Sequence, residues 1–287
     1  MTHEWGVLIV LYLFLGGMSA GLLVLSAAAT LFAPERLERT AVIGAALAPW
    51  PVAIGAGLLV FDLGQPFYFW KLFVGFAPRS PMWLGTWLIA LFCVLSIAYA
   101  TTFLFGPGTW RRRLAWFALP LGAALALYTG VLLGVLVSRP LWNTPLLAQL
   151  FLVSALSSAC ALLLITVGNG ATAHERHVLA RTDAVLIVLE LVVLCWMVVA
   201  ARTSTAAAST AASVIVSGSF AWVFWTAVVL LGLLLPLGIE LVELAGPRRA
   251  VRLAHVERLA AVSPALVLLG GLALRVVMVY AGQASRL

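Results

Sequence analysis

Tyr12, Asp62, Tyr128 and Arg275 are polar side chains set inside, or at the ends of, long apolar runs. A phenol in an apolar pocket is a neutral donor able to hydrogen-bond a quinone carbonyl, and a carboxylate near the surface can accept or relay the protons released when a quinol is oxidised. An arginine within a span is costly unless it meets a partner or a cavity, so Arg275 could pair with Asp62 or polarise such a pocket. Each residue also has a plainer reading. Both tyrosines suit an interfacial aromatic belt, Asp62 begins DLGQP, which reads as a helix end with a glycine turn and a proline stop, and Arg275 could snorkel outward. Position alone leaves these alternatives open.

A second set of ionisable residues falls toward the other ends of the apolar runs: Glu190, Glu240 and Glu243, with Asp183 at an expected membrane edge. Carboxylates in a span are expensive enough to suggest, together with Asp62, a proton route. The competing reading is salt bridging to Arg181, Arg248 or Arg249.

The elements that must position these groups are set by composition. Hydrophobic residues make up 64% of the sequence and charged residues 9%, mean hydropathy is +1.13, and several runs exceed the roughly 20 residues that cross a bilayer. Runs of Leu, Ala and Val without two-residue alternation select helices over a barrel. The expected spans are 7 to 32, 40 to 61, 82 to 105, 113 to 137, 145 to 167, 184 to 202, 219 to 245 and 259 to 281. The fold class is all-α: a polytopic membrane bundle of eight transmembrane helices, residues 1–287 forming a single domain.

An even number of spans returns both termini to one face and divides the 17 Lys and Arg residues unequally. Arg36, Arg39, Arg111, Arg112, Arg113, Arg176, Arg181, Arg248, Arg249, Arg252 and Arg258 share one side; Lys71, Arg79, Arg139, Arg202, Arg275 and Arg286 take the other. Basic residues resist translocation, so the first group is expected in the cytoplasm and both termini in the periplasm of a bacterial inner membrane. The net charge of +7 then reports topology and attraction to the lipid bilayer, and nucleic-acid binding is excluded.

No cleavable signal is evident, since the first apolar run is long and lacks preceding Lys or Arg. Cys93, Cys160 and Cys195 fall in expected spans without CxxC spacing, so neither an iron-sulfur cluster nor a disulfide framework is expected. A membrane haem needs facing intramembrane histidines, and His3, His174, His177 and His255 all lie outside the expected spans, so neither haem nor a metal site is expected. The aromatic stretch 67 to 76, FYFWKLFVGF, is too short to span and reads as an interfacial helix. The small-residue tract at 203 to 218 reads as a surface loop, and Gly17 with Gly21 makes a GxxxG packing stripe.

YLFLGG at 12 to 17, DLGQP at 62 to 66, SPMWLGTW at 80 to 87, Tyr128 followed by RPLWN at 139 to 143, and LRVVMVYAGQ at 274 to 283 occur in this order over nearly the whole sequence. Together they resemble the NrfD/PsrC family, the polysulfide reductase-type quinone-interacting membrane subunits. The resemblance implies a quinone or quinol cofactor (menaquinone or ubiquinone) near the periplasmic face, a four-cluster iron-sulfur subunit and a molybdopterin catalytic subunit as periplasmic partners, and a quinone-contacting role for Tyr128. Tyr12 falls where the polysulfide-reductase type has a quinone-contacting histidine, and Ile9 where it has an asparagine, so the protein departs from that member at the pocket. Arg139, Trp142 and Asn143 are expected to support the neighbouring helix or to contact the partner. The expected function is exchange of electrons between quinone and an attached oxidoreductase module, possible proton transfer included. The alternatives are a small-solute transporter or permease, which would carry inverted repeats and broken helices, and a purely structural anchor.

Overall fold

Apolar runs of this length satisfy their backbone groups as helices, and the computed structural model is helical, with no strand among its described residues. These are residues 5–62, 66–68, 70–77, 79–106, 108–135, 139–170, 172–245 and 253–284. Helix α1 (Val7–Phe32) is followed by α2 (Glu38–Leu47) and α3 (Pro49–Asp62), the short α4 (Lys71–Val74), α5 (Pro81–Thr101), α6 (Thr109–Gly134), α7 (Pro145–Val167), α8 (Ala173–Thr203) and α9 (Ala206–Val216). Then come α10 (Ala221–Val223), a π-helical stretch (Phe224–Leu234), α11 (Leu235–Leu244) and α12 (Leu253–Ala284). Eight of the resulting stretches are long and apolar enough to cross a membrane, with α2–α3 making one and α10 to α11 another.

Helix α1 is the axis of the bundle, packed against α2, α3, α6, α7 and α12. Its small residues permit this. A Cβ on Gly21 would come within 2.7 Å of the Ala159 methyl on α7, so the Gly17 and Gly21 stripe is filled by α7. In the second span Pro49 and Pro51 withdraw two backbone donors and divide α2 from α3, while the Ser19 hydroxyl donates to the Ala48 carbonyl at the break. The Trp5 amide donates to Gln283 Oε1 at 2.9 Å and Gln283 Nε2 donates to the Trp5 carbonyl at 3.0 Å. These bonds hold the residues before α1 and the last turn of α12 together at one face, termed the terminal face; Arg36, Arg39, Arg111, Arg112, Arg113 and Arg176 mark the opposite, arginine face.

Two segments differ from expectation. The loop read over 168 to 183 is much shorter, because α8 begins at Ala173, where the Thr172 hydroxyl accepts from the Glu175 amide at 3.1 Å. Its polar first turns carry low hydropathy yet bury Glu175, Leu179, Ala180 and Asp183 on one face. The tract at 203 to 218 is helical as α9, since alanines favour helix, Thr205 caps it, and Ala208, Ala211, Ala212 and Ile215 are buried. The aromatic stretch is broken into a turn of 3₁₀ helix, Pro66–Tyr68, and α4.

Candidate functional site

At the terminal face α1, α3, α5 and α6 converge around two phenols. Tyr12 lies about one and a half turns into α1 and is 1% exposed. Glycine on α3 lets its ring in, since a Cβ on Gly55 would sit 3.4 Å from it. Its hydroxyl has no hydrogen-bond partner. Tyr128 on α6 lies within electrostatic range of Tyr12 and is positioned from α5: its ring occupies the space left by Gly85, and its hydroxyl donates to the Pro81 carbonyl at 2.9 Å. Of the two, Tyr12 therefore holds the uncommitted proton donor, whereas Tyr128 keeps only its acceptor lone pairs free. Asp62 closes α3 at this face and is partly exposed; the rest of its motif, residues 63–65, lies outside the described residues. Sequence reading passed over Trp83, whose buried indole Nε1 is also without a partner, with Phe76 and Trp87 ring centroids 5.7 and 6.2 Å away.

The segment after α6 is a clamp on the end of α12. Trp142 is buried, its Nε1 donates to the Met278 carbonyl at 2.7 Å, and its ring lies 5.5 Å from that of Trp5. Arg139 donates to the Gly282 and Gln283 carbonyls and lies over the Trp142 ring. The support expected from these residues is thus given to α12 and the start of α1, while Asn143 is exposed and lines a cavity of about 430 Å³ between this segment, α8 and α9.

Arg275 is fully buried inside the bundle. It donates to the Ser154 hydroxyl, to the Gly271 carbonyl at 3.1 Å and to the Phe151 carbonyl at 3.4 Å, and its guanidinium lies 4.9 Å from the Phe151 ring centroid. The charge that acts on it is Glu190, and both residues lie beside Ser154. Asp62 is not among the groups acting on Arg275, and the buried guanidinium does not snorkel.

Below this pair, toward the arginine face, two further carboxyls meet. Asp183 on α8 and Glu240 on α11 are 0% and 2% exposed and lie within hydrogen-bonding reach of each other. Ser157 donates to Asp183 Oδ1 at 2.7 Å and Ser263 to Glu240 Oε1 at 3.5 Å. Neither Arg181 nor another described arginine is the partner of these acids, and Arg248 and Arg249 lie outside the described residues. Glu243 is exposed at the end of α11. Glu175, also missed in the sequence, accepts from the Thr40 amide and hydroxyl, each at 2.8 Å, and so caps the start of α2. Its signal was the T-x-x-E pattern at Thr172.

The sequence matches the family model described as "Polysulphide reductase, NrfD" over residues 1–285. It is 30% identical to the C chain of polysulfide reductase from Wolinella succinogenes, with 98% of this protein and 95% of that one covered. It is likewise 30% identical to protein NrfD of Escherichia coli (97% and 95% covered) and 29% identical to the NrfD homolog of Haemophilus influenzae (81% and 82% covered).

Proposed function

Because the protein belongs to the NrfD polysulphide reductase family of membrane subunits, we propose that it binds quinone or quinol beside Tyr12 and Tyr128 and exchanges electrons with an attached oxidoreductase module. The observation that carries this reading is the Tyr12 hydroxyl, a buried donor with nothing to donate to. An unmade hydrogen bond of this kind costs about 1–3 kcal/mol, and a ligand carbonyl is the acceptor that would recover it. When bound, the quinone supplies paired electron and proton chemistry. The protein supplies the rest: Tyr12 donates to the ligand oxygen, Tyr128 offers a lone pair while its own O–H stays directed at the Pro81 carbonyl, and the glycines at 55 and 85 keep both rings seated. Asp62, partly exposed at the same face, is the group that passes protons to water.

The arginine asymmetry supports a cytoplasmic arginine face in the bacterial inner membrane, which puts the tyrosines on the periplasmic side. The partners that fit are a four-cluster iron-sulfur subunit and a molybdopterin catalytic subunit docked there. That the Wolinella relative is one lettered component of a reductase supports an assembly of several subunits.

The test is quinol oxidation by the purified complex. Tyr12→Phe removes one hydrogen bond with little change in volume, so we expect KM for quinol to rise about tenfold, the equivalent of about 1.4 kcal/mol, with assembly intact. Tyr128→Phe also frees the Pro81 carbonyl and is expected to lower kcat as well as affinity. Unchanged kinetics and inhibitor sensitivity in both variants would overturn the assignment.

A further inference from the structure

The strongest feature left unused by the tyrosine site is the meeting of two acids within the membrane. Asp183 Oδ2 and Glu240 Oε2 are buried and receive no hydrogen bond from any neighbouring donor, although each residue's other oxygen is served by a serine. Two ionised carboxylates in that position would repel one another with little solvent to screen them. A proton shared between them removes a charge and supplies the missing donor in one step.

The surroundings are built for this pair. Five inward residues of the seventh span, Phe224, Val228, Gly232, Pro236 and Glu240, recur every fourth position. In a straight α-helix each such step gains about 40°, so Glu240 would stand about 160° away from Phe224 and face lipid. The π-helical stretch from Phe224 to Leu234 absorbs that drift, and π turns gather at functional sites. It also brings Gly232 into backbone contact with Gly270 of α12. Groups from four packed helices face the pair among the described residues. They are Ser157 and Cys160 on α7, Glu190 on α8, Glu243 at the exposed end of α11 and Ser263 on α12. No cation is among them, and the buried Arg275 is engaged with Glu190.

We propose that Asp183 and Glu240 hold one proton between them and form a proton-binding site inside the bundle, distinct from the tyrosine site. In the resting state one carboxyl is protonated and donates to the other, a pair of net charge minus one. Uptake of a second proton neutralises the pair; release of the first leaves both ionised. Glu190, two helical turns along α8 or about 10 Å, is the next acid in line, and Ser154 connects it to Arg275. Proton binding by this pair does not depend on what occupies the tyrosine site.

The experiment is labelling of the full-length protein in membranes with dicyclohexylcarbodiimide, which modifies protonated carboxyls in apolar surroundings, followed by peptide mass spectrometry, with neither quinone nor partner subunits present. A single adduct per molecule on Asp183 or Glu240 is expected. Glu240→Gln is expected to abolish labelling at Asp183 too, since the amide donates to that carboxylate and holds it ionised. Absence of an adduct on both residues in the wild-type protein overturns the proposal whether or not the variant folds. So does labelling of Asp183 that survives Glu240→Gln, which means independent acids, or wild-type labelling suppressed by sodium at fixed pH, which means a metal-cation site. Failure here leaves the quinone reading standing, and quinol kinetics can fail while the labelling pattern holds.

Discussion

Arg275 shows how one residue type is read differently once its neighbours are known. In the sequence its position in LRVVMVYAGQ left pairing with Asp62 and outward snorkelling equally open, because neither helix contacts nor depth can be read from spacing. In the fold it is enclosed by Phe151, Ser154 and Gly271, with Glu190 as its counter-charge. Removing one member of a buried pair strands the other, at a cost of about 3–5 kcal/mol. Arg275→Gln should therefore sharply lower the melting temperature of the detergent-solubilised protein, and adding Glu190→Gln should recover part of the loss. A double variant no more stable than Arg275→Gln alone would show that the two charges are not coupled. The tyrosines carry the same lesson. Their type and depth were legible, but which of them keeps a free proton depends on the carbonyl of Pro81, a backbone atom that no sequence pattern reports.

At the scale of elements, hydropathy located all eight spans, and α1 and α7 fall on the residues expected for them. What it could not locate were helices whose stability comes from one buried face or from alanine content, which is why the first turns of α8 and the whole of α9 read as loops. The π-helical stretch was illegible for a related reason: its four-residue recurrence is buried in a run that is apolar all round, so no face stands out. Because Gly232 and Gly270 touch through their backbones, any side chain at Gly232 must push α12 away. Gly232→Leu is expected to destabilise the protein by about 1–3 kcal/mol and to rotate Glu240 out of reach of Asp183. Thermal unfolding gives the first effect, and loss of the carbodiimide adduct gives the second; a variant with unchanged melting and labelling would show that the crossing is not needed to place the acid.

At the scale of the whole molecule, the polar residues are arranged along a line, not scattered. Glu243 is exposed at one end of α11, Glu240 meets Asp183, Glu190 follows along α8, and Arg275 stands behind the wall that holds Phe14 and Phe151, with Tyr12 two residues before Phe14 on α1. The serines of α7 at 154 and 157 lie between these steps and lend hydroxyls to both. A membrane subunit that only anchored its partners would have no use for this line, since each buried ionisable group lowers its stability. If the line carries protons between the arginine face and the proposed quinone site, electron transfer at that site moves charge across the bilayer. The complete complex in liposomes is then expected to build a membrane potential during quinol turnover, and its rate should rise when an uncoupler relieves that potential. Turnover that generates neither a potential nor a pH change, at a rate indifferent to the uncoupler, would confine the protons to the terminal face and leave Asp62 as the exit.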